Sequence, residues 1–389
     1  MIQVEEALSI IVENSNSVSI EKIHVSKALG YILAETVYSP VAMPPFRQSL
    51  VDGYAFIHSE RHQYDIAGIS QAGEYSKIKL KENTTLRIFT GAFVPHNADT
   101  VVKEEHVMAT ENSILITRMP EQFENVRNKG EEISKEEIVF DANTLITPAA
   151  IGFLLSLGIT EIDVYKKPKV AILVIGNEQV KPGNKLPKGK IYESNSAMLQ
   201  AALQTIGIRK AKVYKVKNSP KVSKELKGIL NKYDIVLISG RISPEDNDFI
   251  KEGLLENGVQ KHFNTISQKP DQSMFFGSKH ETLVFALPGN PAASLIDFYV
   301  YVYPAIKNRM GFSDIHLKKI LRKLNDDHTN TSGKTLFLNT LHDETHVTIL
   351  NSPNAATLNT LAIANSLLLF PNDVETLKKG QLVTLLQIE

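Results

Sequence analysis

The chain opens with "VEEALSIIVEN", where apolar residues recur three and four apart, so a helix with one buried face is predicted over about Val4 to Asn14. From about Ala55 to Ile116 the pattern changes to short alternating runs punctuated by Gly68, Gly73, Gly91 and Pro95, which predicts a small β-rich module. In "ITPAAIGFLLSLGI" a helix returns: Thr147 is placed to cap it, Pro148 fits its first turn, and Gly158 ends it. After "VYKKPK" come four apolar or β-branched runs, "KVAILVIG", "KAKVYKV", "YDIVLISG" and "TLVFALPG". Helical text such as "SNSAMLQAALQTIG" and "PKVSKELKGILNKY" separates them, and that alternation predicts a parallel sheet wrapped by helices over about Lys167 to Arg309. Beyond Gly311, "TLFLNTLH", "HVTILN", "SLLLFP" and "GQLVTLLQIE" alternate as strands and predict a small β-barrel or sandwich.

Composition narrows the classes of function. With 43 Lys and Arg against 43 Asp and Glu, no global field favours nucleic acid or an anionic membrane, so a charged ligand must be met locally. The chain has no cysteine, which removes disulfides, thiolate nucleophiles and cysteine zinc sites together and fits a reducing compartment. No apolar run reaches the length of a membrane span, and acids stand where a signal peptide would carry positive charge, so a cytoplasmic protein is expected. A length of 389 residues calls for two to four domains.

Several motifs read as ordinary turns. "NTSGKT", Asn330 to Thr335, lacks the upstream glycine of a phosphate loop, since His328 stands there. "HDETH", His342 to His346, puts two histidines on one side of strand-like text, and a solvated hairpin is the expectation. There is no GxSxG elbow for a serine nucleophile. What remains is a concentration of glycine-and-acid loops, many of them at strand ends: "SLVDGYAF", "FTGAFVP", "TVVKEEHV", "VIGNEQVKPG", "YESNSAML", "SGRISPEDND", "SQKPDQSMFFG" and "ALPGNPAASL". In open α/β sheets ligands bind at those ends, and the helix opened by "YESNSAML" has N-terminal amides that suit an anion.

In their order, "MPPFRQSLVDGYAF", "RIFTGAFVPHNADTVVKEEHV", "VRNKGEEI", "LLSLGI", "PKVAILVIGNEQVKPG", "IYESN" and "ALPGNPAAS" resemble the MoeA family of molybdopterin molybdenumtransferases, which includes the gephyrin E domain. The resemblance spans essentially the whole chain. It implies a multidomain α/β and β fold: an extended segment of helices and strands (1–50 with 128–166), an inserted β-rich domain (51–127), a molybdopterin-binding-type α/β domain (167–310) and a C-terminal β-barrel (311–389). It also implies a homodimer with a cleft between the α/β domain of one subunit and the inserted domain of the other. The implied reaction inserts molybdate into adenylylated molybdopterin with release of AMP, using Mg²⁺ or another divalent cation. Molybdopterin adenylyltransferase or molybdoenzymes are the implied partners.

Carried over residue by residue, the resemblance implies catalytic roles for Asp52, Glu178, Asp246 and Asp248, with Glu178, Asp246 and Asp248 as metal ligands. For substrate binding it implies Thr90 and Gly91 of the "TGA" loop, Glu105, Ser194, Asn195, Ser239, Arg241, Ser243, Lys269, Pro270, Pro288, Gly289 and Asn290. The chain departs from the family pattern where "TGDE" reads "IGNE", placing Asn177 at an acid, and where "SGG" reads "SGR", placing Arg241 at a glycine. Glu245 also replaces a glycine, and "KPGKP" reads "KPDQS", which introduces Asp271 and exchanges a lysine for Gln272. One lysine lost and two acids gained weaken the local field for anions, while Arg241 returns one positive charge. Two readings follow: a metal-insertion enzyme, or a non-catalytic relative that binds a pterin, a nucleotide or a partner protein.

Overall fold

The computed structural model describes residues 1–16, 19–75, 77–176, 178–217, 219–240, 249–350 and 357–388. They form two compact units, one of Lys22–Leu29 with Leu33–Asp163, the other of Met1–Glu21, Gly30–Ile32 and Val164–Glu389.

The smaller unit carries the predicted β-rich module as a six-stranded mixed sheet. Its strands run in the order Thr100–Lys103, Gly53–Phe56, Thr84–Ile88, Gln63–Ser70, Ser113–Ile116 and Val107–Ala109. The Gly53–Phe56 strand lies between two antiparallel neighbours and is buried throughout, with Ala55 packing into one core and Tyr54 and Phe56 into another. That division follows from the two-residue period of a strand. Helix Pro148–Ser156 starts as predicted: the Thr147 hydroxyl accepts from Ala150 N (3.2 Å), Pro148 is the first helical residue, and Gly158 follows with φ of +79°.

In the larger unit the four predicted strands are parallel neighbours, Lys212–Val216, Val170–Ile175, Ile235–Ser239 and Thr282–Leu287 in spatial order. Two antiparallel strands, Ser273–Lys279 and Gln260–Thr265, extend the sheet. The near-continuous apolar text is explained by helices on both faces. Val170, Ile172, Val174, Ile235, Leu237, Leu283 and Phe285 face one core with helices Asn195–Thr205 and Pro291–Asp297. Ala171, Leu173, Val236, Ile238 and Val284 face the other, covered by helices Val222–Leu230 and Phe249–Glu256. The opening helix is Val4–Asn14, and its Val4, Ala7 and Ile11 join the first of these cores.

The C-terminal strands close into a five-stranded barrel: Thr335–His342, His346–Ile349, Lys319–Leu324, Leu382–Gln387 and Ser366–Phe370, the last pairing back on the first. The expected turns are present here. Asn330 Oδ1 accepts from Ser332 N and Oγ, and Asn330 Nδ2 donates to Lys334 O, so "NTSGKT" is a self-bonded turn. Asp343 Oδ1 takes the amides of Thr345 and His346, both at 2.7 Å, which makes "HDETH" a hairpin corner. No helix among the described residues is long and apolar enough to cross a membrane.

Candidate functional site

In the smaller unit the candidate residues sit on the loops flanking the Gly53–Phe56 strand. Thr90 donates to the same Asp52 oxygen, Oδ1, from its amide and from its hydroxyl, each at 2.8 Å. Those two bonds, with the Arg87 charge, hold the Asp52 carboxyl below the usual range, so it is ionised at neutral pH. Glu104 N donates to Asp52 O (3.1 Å), which ties the Thr100–Lys103 strand end to the same corner. Gly91, at φ of +81°, sends its amide to Ser49 O (2.8 Å). Arg87 pairs with Glu104 (3.0 Å), while Glu105 is exposed and 4.0 Å from Lys103. Asp52, Thr90, Gly91 and Glu105 therefore share one accessible, mixed-charge corner. Its arginine was not singled out from the sequence, since Arg87 sits in ordinary alternating strand text.

Gly53 explains the glycine of "VDGYAF". A Cβ built there would lie 1.9 Å from Val102 O and 2.9 Å from Val102 C. No side chain fits without parting the two strands.

In the larger unit the candidate loops meet at the C-terminal ends of the parallel strands. Ile175, Ser239 and Leu287 end three of these strands, and Gly176, Gly240 and the run Pro288, Gly289 and Asn290 follow them. Asn195, at the start of helix Asn195–Thr205, joins them: its Nδ2 donates to Ser239 Oγ (2.9 Å) and to Gly289 O (3.1 Å). Asn195 and Ser239 are buried, and Asn195 Oδ1 has no hydrogen-bond partner among the described residues. Asn290 Oδ1 caps the helix Pro291–Asp297 through Ala292 N and Ala293 N. Glu178 is exposed, and its carboxylate folds back over Gly176, where an added Cβ would come within 2.5 Å of Oε1.

The helix start expected to suit an anion carries an acid of its own. The Glu193 carboxylate already occupies the start of helix Asn195–Thr205, accepting from Ser196 N (2.8 Å) and Ser196 Oγ (2.6 Å). The Ser196 amide is thus spent on a capping acid of the chain itself, whose charge opposes an incoming anion. Ser194, at the cap position, makes no side-chain capping bond among the described residues.

Lys269 is exposed and follows the buried Gln268, and this pair of residues adds in parallel to Thr335 and Leu336 of the barrel. Pro270 is half-buried, and Asp271 Oδ1 accepts from Ser273 N (2.8 Å), so the departure at this position is built into a tight turn. Gln272 contributes its main-chain oxygen to Ile266 N (2.9 Å). Asn177, Arg241, Ser243, Glu245, Asp246 and Asp248 lie outside the described residues. Among the described residues no group of three His, Asp or Glu side chains is arranged to hold a metal ion.

Sequence reasoning missed a buried polar group next to this site: Gln268, Asp297 and Tyr301. Its one signal was a lone acid in the apolar text "PAASLIDFYVYVYP".

Comparison with known proteins covers the chain almost from end to end. The MoeA N-terminal region (domain I and II) matches residues 2–158, and the probable molybdopterin binding domain matches residues 171–308. A molybdopterin molybdenumtransferase of Haemophilus influenzae is 31% identical over 75% of this chain and 73% of its own length. One from Staphylococcus epidermidis is 29% identical over 100% of this chain and 96% of its own. Among solved structures, a molybdopterin biosynthesis MoeA protein of Pyrococcus horikoshii superposes with a TM-score of 0.86 at 27% identity, covering 100% of this chain and 99% of that one. A second structure of that kind, from Pyrococcus horikoshii OT3, gives 0.81 at 25% identity and full coverage of both chains. With residues 2–158 and 171–308 matched in order, a relative 31% identical over 75% of the chain and the fold shared over its full length, this chain belongs to the MoeA family.

Proposed function

We propose that this protein is an enzyme of molybdenum cofactor biosynthesis that inserts molybdate into adenylylated molybdopterin and releases AMP. The observation that carries the reading is the convergence of loops at the strand ends. Asn195 clamps the Ser239 and Gly289 turns together, and the Glu178 loop ends the neighbouring parallel strand. This is the edge where open α/β sheets take ligands.

The chemistry asks for carboxylates, a cation and anion-binding groups. Asp246, Asp248 and Glu178 are hard oxygen donors of the kind Mg²⁺ prefers, and these three would hold the divalent cation. When bound, the cation offsets the charge of the phosphates. Lys269, with its exposed ammonium, would bind molybdate or phosphate, and Ser243 and Arg241 would assist it. Pro288, Gly289 and Asn290 would shape the pocket wall, with Pro270 beside them, while Asn195 and Ser239 hold that wall in place. Asp52 is kept ionised by Thr90 and would act as the acid-base group of its corner, with Glu105 and Gly91 at its rim.

The four-part division by residues 1–50 with 128–166, 51–127, 167–310 and 311–389 belongs to the same proposal. So does a homodimer in which the Asp52 corner of one subunit completes the strand-end site of the other. We place the enzyme in the cytoplasm, where its substrate and a molybdopterin adenylyltransferase partner would be met. The test is AMP release from adenylylated molybdopterin with Mg²⁺ and molybdate. Release that needs molybdate and disappears in Asp246→Ala supports the reading, and none above the blank from folded protein overturns it.

A further inference from the structure

Beside the strand-end loops lies a buried polar chain to which the proposed reaction assigns no role. Gln268 Nε2 donates to Asp297 Oδ1 (2.8 Å) and to the main-chain oxygen of Asp271 (3.0 Å), and Gln268 Oε1 accepts from the Tyr301 hydroxyl. Gln268 and Tyr301 are fully buried and Asp297 is 1% exposed. Both amide hydrogens and the amide oxygen of Gln268 are thus engaged, and a flip would set its oxygen against the Asp271 carbonyl, which can only accept.

The two ends of this chain belong to different parts of the site. Asp297 ends the helix that starts at the Asn290 cap, and Tyr301 lies in the turn Phe298–Val302 that continues it. Gln268 and Asp271 bracket Lys269. From the other side, Thr335 N donates to Ser267 O (3.2 Å), and Gln268 and Lys269 pair with Thr335 and Leu336. The lysine is therefore gripped by main-chain pairing on the barrel side and by the Gln268 amide on the helix side.

Burying three polar side chains is costly, and Asp297 Oδ2 lacks a hydrogen-bond partner among the described residues. Apolar side chains of similar volume would pack the same space at lower cost, but they would not dictate one placement of the loop. On the reading that Lys269 binds the anionic substrate, we infer that Gln268 is a positioning residue. It fixes the Lys269 segment against the helix that carries the Asn290 turn.

The test compares Gln268→Met, Asp297→Asn and Lys269→Ala, and the double variant of Gln268 and Lys269. The carboxamide oxygen introduced by Asp297→Asn would still accept from Gln268, so that variant keeps the grip while Gln268→Met removes it. Hydrogen exchange is expected to speed up by roughly tenfold in Gln268→Met over residues 266–274, with Asp297→Asn matching the native protein. In molybdate-dependent AMP release, Gln268→Met should raise the KM for molybdate roughly tenfold with kcat within about twofold. In the Lys269→Ala background the same change should add nothing further to KM. Unchanged exchange over 266–274 overturns the inference, as does an equal KM effect with and without Lys269. If native protein releases no AMP, the functional reading fails on its own, and the exchange comparison still decides what Gln268 does.

Discussion

Replacing Gly53 by alanine tests whether the Asp52 corner depends on the close approach of two strands. The added Cβ would lie 1.9 Å from Val102 O, so the Thr100–Lys103 strand must retreat by roughly 1.5 Å to reach ordinary van der Waals separation. That retreat loosens the Gly53 and Lys103 pairing and the bond from Glu104 N to Asp52 O. Overpacking and a weakened ladder together should cost about 2–4 kcal/mol. For a unit of this size, that lowers the melting temperature by on the order of 10 °C. Gly91→Ala is the control: among the described residues nothing lies within 4 Å of its added Cβ, so only the positive φ is strained, at about 1 kcal/mol. Thermal unfolding followed by circular dichroism, with exchange at the 52–56 and 100–104 amides, reads both effects. A Gly53→Ala protein that melts within about 1 °C of the native one, with those amides still protected, would refute the steric argument.

Further expectations can be checked singly. Thr90→Val removes one of the two bonds to Asp52 Oδ1, so the Asp52 pKa should rise toward the ordinary carboxylate value in a carbon-13 titration. Because that pKa is lowered by folding, its contribution to stability is present above the unfolded value and is lost as pH falls through the folded one. Asp297 is the opposite case. Burial raises its pKa well above the usual range, so the native state keeps a proton that the unfolded chain gives up. Stability therefore falls as pH rises from the unfolded value, about 4 for an ordinary carboxylate, toward the folded one, and Asp297→Asn should flatten that slope in denaturant titrations. Gln272→Lys restores the lysine of the family pattern and should lower the KM for molybdate roughly threefold to tenfold. An unchanged KM would remove the electrostatic account of that departure.

Much of the fold could be read before any coordinates, and for definite reasons. The parallel strands were visible because burial on both faces leaves nearly uninterrupted apolar runs, as in "VAILVI" and "IVLIS". Thr147 and Pro148 announced their helix because its first-turn amides need an acceptor and its first residue needs no donor. The strands Gln260–Thr265 and Ser273–Lys279 were not seen. The first is half-polar edge text, "QKHFNT", and the second begins inside a stretch that reads as a proline-and-acid loop.

The site was only partly legible. Asp52 and Thr90 were singled out separately, yet their mutual bonds depend on two strands brought together from 38 positions apart. Asn195 was expected at the substrate, and the structure adds that its Nδ2 donates to Ser239 and Gly289, a partnership that no local pattern encodes. Gln268 escaped notice because a glutamine before a lysine looks like surface until the barrel strand and the Asp297 helix close over it.

The proposed function is tested most sharply by following molybdenum and AMP together in one reaction, with purified protein, adenylylated molybdopterin, molybdate and Mg²⁺. Dithiolene-bound molybdenum should appear in equal molar amount to AMP, and both should vanish in Asp246→Ala. AMP released without molybdate transfer, or neither product from folded protein, would contradict the assignment.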